Sequence, residues 1–119
     1  MLYTNLKHIE SQAEFELQSS LNKFVSIICG RMDKNSVQAY RNAELLKSDY
    51  PQIYFFDMEI NNPELVEIFK GKLSEEINNT PFILFYKKGQ LIATISGPLS
   101  KKEMDDQIIS NFKLKRIIK

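Results

Sequence analysis

Few side chains in this sequence could carry out covalent or acid–base chemistry: one cysteine, Cys29, one histidine, His8, and the paired carboxylates Asp57 with Glu59 and Asp105 with Asp106. A thiol is a nucleophile or redox centre only as thiolate, which a helix N-terminus or a neighbouring cation favours. Cys29 instead closes the run Phe24-Val25-Ser26-Ile27-Ile28-Cys29, so it is predicted to be a buried structural cysteine packing as a small hydrophobe. One-thiol chemistry through Cys29, a mixed disulfide or glutathionylation, is the alternative if that strand end is exposed. His8 lies near the first predicted strand and reads as a surface residue rather than a general base or metal ligand. A zinc site needs three or four converging Cys, His or carboxylate ligands, and Cys29 with a distant His8 does not supply them. No metal and no cofactor is therefore expected. Asp57 and Glu59 alternate at a strand end, and Asp105 and Asp106 are adjacent on a helix. Neither pair presents facing carboxylates, so all four read as solvated charges. Gly30-Arg31 is too short to count as a phosphate loop.

The elements that would position these residues follow from periodicity and punctuation. A strand is predicted over 4–9. Ser11 with Glu14 three residues on is a capping-box pattern opening a helix whose Phe15, Leu17 and Leu21 should face inward. The run 24–29 is nearly continuous in apolar residues and rich in β-branched ones, as in a central strand covered on both faces, and Gly30 ends it. A polar loop over 31–36 leads to a helix from Ser36, with Ala39, Ala43, Leu46 and Tyr50 at helical spacing and Pro51 as its stop. Residues 53–56 form the next strand, and Asn62-Pro63 has the form of an N-cap followed by proline at the first helical position, opening a helix through Phe69. After a polar connection over 70–80, the strands 82–86 and 91–95 flank Lys87-Lys88-Gly89-Gln90, an antiparallel hairpin. Ser100 and Glu103 repeat the capping box before a helix burying Met104, Ile108 and Phe112. The order is β-α-β-α-β-α-β-β-α.

Composition bounds the rest. The chain has 119 residues, 43% of them hydrophobic, the size of one domain spanning 1–119. Sixteen basic against fifteen acidic residues give a formal charge of +1, which provides no field for nucleic acid, and none is expected as a partner. No apolar run approaches the roughly 20 residues of a bilayer span. The start, Met-Leu-Tyr-Thr-Asn-Leu-Lys-His, lacks the pattern of a secretory signal, so a cytoplasmic location is expected.

The element order, together with the stretch Thr80-Pro81-Phe82-Ile83-Leu84-Phe85-Tyr86-Lys87-Lys88-Gly89-Gln90 and its continuation to Gly97-Pro98-Leu99-Ser100, resembles a thioredoxin. In that family a cis proline precedes the fourth strand, a Lys-Asn-Gly-like turn follows it, and a glycine ends the fifth strand before a Leu-Ser-Lys helix entry. Pro81, Gly89 and Gly97 fall on those positions, and 57–69 is similar to the family's acidic strand end and Asn-Pro-Glu-Leu helix start. The resemblance implies an α/β thioredoxin-like fold, with a mixed central sheet of about five strands flanked by about four helices. It also shows what is missing. The family's Cys-x-x-Cys falls on Met32, Asp33, Lys34 and Asn35 or just after, its buried aspartate falls on Ser26, and the tryptophan before the motif is absent. Dithiol exchange is thus not expected. The resemblance implies a non-catalytic module that binds a protein or peptide, with the backbone of Thr80 pairing with an extended segment. Pro81, the loop of Met32, Asp33, Lys34 and Asn35, and Gly97 would form the walls. A basic tail over 113–119 and the 70–79 segment are further candidate contacts for an assembly role.

Overall fold

The computed structural model describes residues 2–71 and 73–115. Five strands, β1 Lys7–His8, β2 Phe24–Gly30, β3 Ile53–Glu59, β4 Phe82–Lys87 and β5 Gln90–Ser96, form one sheet in the order β1-β3-β2-β4-β5. β1, β3 and β2 are parallel, whereas β4 runs antiparallel to β2 and β5 antiparallel to β4. Four α-helices flank it: α1 Gln12–Leu21, α2 Lys34–Asp49, α3 Val66–Lys70 and α4 Lys101–Phe112. Short 3₁₀ turns at Pro63–Leu65 and Glu76–Asn78 precede α3 and β4. This is the mixed sheet and helix complement that the resemblance implies.

β2 reads as an apolar run broken only by the buried Ser26 because both of its faces are covered. Val25, Ile27 and Cys29 pack with Phe56, Met58, Phe69, Phe82 and Leu84 on one side. Ile28 points the other way, into a core closed by α2 and α4 through Tyr40, Ala43, Leu46, Ile108 and Phe112. Phe112 sits between Phe24 and Phe85, with ring centroids 5.0 and 5.5 Å away. The hairpin turns through Lys88 and Gly89 at φ 52° and 80°, the two positive values that a two-residue loop needs to match strand twist.

Several local expectations change. The first strand shrinks from 4–9 to Lys7–His8, because only Phe56 and Asp57 of β3 pair with it and the residues before it turn to make side-chain bonds. Leu17 and Leu21 are exposed rather than inward. The face of α1 turned to the sheet carries Phe15, Gln18 and Ser19 at i, i+3 and i+4, while positions two and six residues after Phe15 fall on the far side. α2 starts at Lys34 rather than Ser36, capped by Asp33, whose carboxylate accepts the Ser36 N–H at 2.8 Å. The α4 capping box is complete in both directions. α4 ends at Lys113 in the left-handed conformation, with Leu114 folded back onto the core; 116–119 of the basic tail lie outside the described residues. No helix among the described residues is long and apolar enough to cross a membrane.

Candidate functional site

The site begins where β2 ends. Gly30 lies against the first two turns of α2, so closely that a Cβ there would stand 2.6 Å from Ser36 Oγ and 2.8 Å from the Tyr40 hydroxyl. That approach lets α2 grip the next residue. Ser36 Oγ accepts the Arg31 N–H at 3.3 Å, and the Tyr40 hydroxyl donates to the Arg31 carbonyl at 2.8 Å. Both Ser36 and Tyr40 are buried, so these bonds form where water competes little. With its backbone fixed, Arg31 sends its guanidinium across to Thr80, Nη1 donating to Oγ1 at 3.3 Å.

Thr80 and Pro81 are joined by a cis peptide bond, and the Pro81 carbonyl accepts the Gly97 N–H at 2.8 Å. Gly97 takes a φ of 90°, a conformation open to glycine. The structure thus brings Thr80, Pro81 and Gly97 together and ties them to the α2 entry through Arg31. Met32, Asp33, Lys34 and Asn35 are all exposed on that entry. Met32 also meets the N-terminal segment, its sulfur accepting the Tyr3 N–H at 3.5 Å. A cleft of about 550 Å³ lies between that segment and α2, lined by Tyr3, Thr4, Met32, Tyr40 and Arg41 among others. No sequence pattern assigns these roles to Arg31, Ser36 and Tyr40. Their one signal is Gly30, whose missing side chain marks a close approach.

Cys29 directly precedes this junction yet points away from it. Its side chain is fully buried in the core on the α3 side of the sheet. Burial, and then the negative charge of Asp57, push the thiol well above its ordinary pKa, the opposite of what a nucleophilic cysteine needs.

Asp57 and His8 are not the solvated groups the sequence suggested. Asp57 is 1% exposed. It accepts hydrogen bonds from the Thr4 hydroxyl and from His8 Nδ1–H, the latter at 2.7 Å. The register sets His8 directly beside Asp57 across the parallel β1–β3 pair. Burial raises the Asp57 carboxyl above its ordinary range, with the bonds from Thr4 and His8 and the His8 charge pulling against it. His8 and Asp57 both line a cleft of about 370 Å³ shared with Glu10, Glu59 and Asn61. Strand parity was the available signal: Asp57 follows Ile53 and Phe55 at two-residue spacing, and both lie in the core on the α2 side. Asp105 is likewise engaged, accepting a hydrogen bond from the Tyr50 hydroxyl, and Asp106 pairs with Lys102 at 3.1 Å. No group of three or more His, Cys, Asp or Glu among the described residues could hold a metal ion.

No family model and no curated protein matches the sequence. Solved structures do resemble the fold. A thioredoxin from Plasmodium falciparum superposes with a TM-score of 0.76 at 22% identity, covering 88% of this chain and 98% of that one. Mitochondrial thioredoxin 3 from Saccharomyces cerevisiae gives 0.75 at 20%, covering 88% and 94%. A mutant thioredoxin from Halobacterium salinarum gives 0.75 at 13%, covering 98% and 100%. At these identities the likeness establishes the thioredoxin fold, here in a chain with a single cysteine.

Proposed function

We propose that this chain is a non-catalytic binding module that holds an extended protein or peptide segment against Thr80, Pro81, Gly97 and the exposed α2 entry of Met32, Asp33, Lys34 and Asn35. The observation that carries this reading is the Arg31 bridge. It fixes the α2 entry to Thr80 beside a surface from which the only thiol is turned away. An extended segment could add to the Thr80 backbone as a strand adds to a sheet edge, with the neighbouring side chains selecting its sequence. A lone buried thiol also suits a reducing compartment such as the cytoplasm.

The test is comparative. Native protein and an Arg31→Ala variant, which removes the bridge without touching the buried Ser36 and Tyr40 side chains, are used as baits against extract from the native host. A Leu17→Ser variant on the exposed face of α1 is the control. Partners held by the native protein and the Leu17 variant but lost from the Arg31 and a Thr80→Trp variant support the reading. Partners retained by all four baits would sink it.

The competing reading, one-cysteine redox chemistry through Cys29, makes a separate prediction. In the folded protein Cys29 should react with a soluble alkylating agent only as fast as the fold opens, and at full rate in denaturant. The protein should also leave the reduction of insulin by dithiothreitol at its uncatalysed rate. Rapid native-state alkylation, followed by loss of a reductase activity in Cys29→Ser, would transfer the function to Cys29.

A further inference from the structure

Arg31 carries a positive charge that the rest of the protein leaves unanswered. It is half-buried just past the end of β2, and its main chain is pinned by Ser36 and Tyr40, so the base of the side chain is fixed. One guanidinium N–H group is used, on the neutral Thr80 hydroxyl at 3.3 Å. No carboxylate pairs with it among the described residues. The acidic groups of the flanking segments are engaged by other donors: Asp33 accepts the Ser36 N–H, and Glu76 accepts the Ser96 hydroxyl. Holding Thr80 does not require a cation, because a neutral amide of similar length would also donate to the hydroxyl. A partly desolvated charge without a counter-charge costs stability, and here that cost falls on the surface proposed to bind a segment. Arg41, by contrast, is exposed on α2, where water serves as its partner.

We infer that the segment held at Thr80 carries an aspartate or glutamate whose carboxylate pairs with the Arg31 guanidinium, which makes Arg31 the residue that selects the partner's charge. This rests on the binding role proposed above and adds the chemistry of what is bound. A strand added at Thr80 sets one of its residues opposite, with the two Cβ atoms ~5 Å apart and both side chains on the same face. Thr80 Oγ1 marks that face, and the guanidinium is already there. A carboxylate on the opposing side chain therefore lies within reach of the N–H groups that Thr80 leaves free. The planar guanidinium fork matches a carboxylate with two parallel hydrogen bonds, and the bond to Thr80 restricts its rotation before the partner arrives. A neutral residue at that position forgoes the pair, and a lysine there meets like charge. Lys34, exposed at the first position of α2, has the same sign as Arg31 and reinforces the preference.

Selection from a phage-displayed library of short random peptides tests it, with the native chain, Thr80→Trp and Arg31→Glu as separate baits. Peptides taken by the native chain and rejected by Thr80→Trp should share an acidic residue at one fixed position. Arg31→Glu should select lysine or arginine at that position instead, a reversal that loss of folding cannot produce. For one selected peptide, replacing the acidic residue by its amide should weaken binding to the native chain about tenfold, the scale of a charge-assisted pair. Against Arg31→Gln the acidic and amide peptides should bind alike. Circular dichroism checks that each variant folds; the peptide substitution needs no altered protein and decides the matter if an Arg31 variant does not. Thr80-dependent peptides with no acidic position would overturn the inference and leave the binding role standing. An acidic preference that survives unchanged in Arg31→Gln would overturn it too, by assigning the preference to another cation. A native chain that selects no Thr80-dependent peptide would overturn both the inference and the binding role.

Discussion

Replacing Gly30 with alanine is expected to destabilise the fold by about 3 kcal/mol, from overpacking together with two disturbed buried hydrogen bonds. The added Cβ would meet Ser36 Oγ at 2.6 Å, the Tyr40 hydroxyl at 2.8 Å and Ser36 Cβ at 2.9 Å. None of these is the tip of a flexible surface chain. Ser36 is fully buried in the first turn of α2 and Tyr40 is fixed one turn further on, so relief requires α2 to move away from β2. That movement stretches both bonds that hold the Arg31 backbone, from its N–H to Ser36 and from Tyr40 to its carbonyl. The backbone of Gly30 itself is in a conformation open to alanine, so no backbone strain adds to this cost. Urea denaturation should show a lower midpoint with an unchanged slope, because the surface exposed on unfolding stays the same. The variant should also lose partners held through Thr80, since Arg31 no longer reaches it from a fixed base. An alanine variant as stable as the native chain would mean that the α2 entry is not clamped, and the argument for a preorganised binding surface would go with it.

The clamp shows which parts of this molecule are legible in a sequence. β2 and β4 are covered on both faces, so their residues are apolar but for Ser26 and the closing Lys87, and composition alone marks them. The α4 cap is equally plain because its signal, Ser100 and Glu103, is local. α1 is harder. Its sheet-facing side carries Gln18 and Ser19, while Leu17 and Leu21 lie outside, so apolar type and inward direction part company. Site contacts are harder still, since each joins residues distant in the chain. Arg31 meets Thr80 49 positions away, and His8 meets Asp57 across the same separation. Pro81, Gly89 and Gly97 could be placed through their resemblance to thioredoxins. The Arg31 bridge could not, because it depends on how α2 packs on β2, which no local pattern encodes.

The His8–Asp57 pair yields the second large effect. His8→Ala is expected to cost about 2–3 kcal/mol at pH 7, the penalty for leaving a buried carboxylate with one of its donors removed. Asp57 would keep the Thr4 hydroxyl but lose the Nδ1–H bond that offsets part of its burial. Its carboxyl already lies above its ordinary value because burial outweighs those partners, and removing one of them drives it higher. A carboxyl raised in the folded state binds more protons folded than unfolded, so stability falls as pH rises between the unfolded and folded values. The deficit of His8→Ala relative to the native chain is therefore full above that window and shrinks as pH drops through it, nearly vanishing once Asp57 is protonated in both states. Stability measured by urea denaturation from neutral to acidic pH should show the two proteins converging. A second substitution separates charge from packing. Asp57→Asn in the His8→Ala background removes the orphaned charge and should recover most of the loss at pH 7, leaving a variant whose stability no longer follows this pH window. A deficit that is constant with pH, and that Asp57→Asn fails to relieve, would show that His8 acts through its packing against Asp57 and not through its proton.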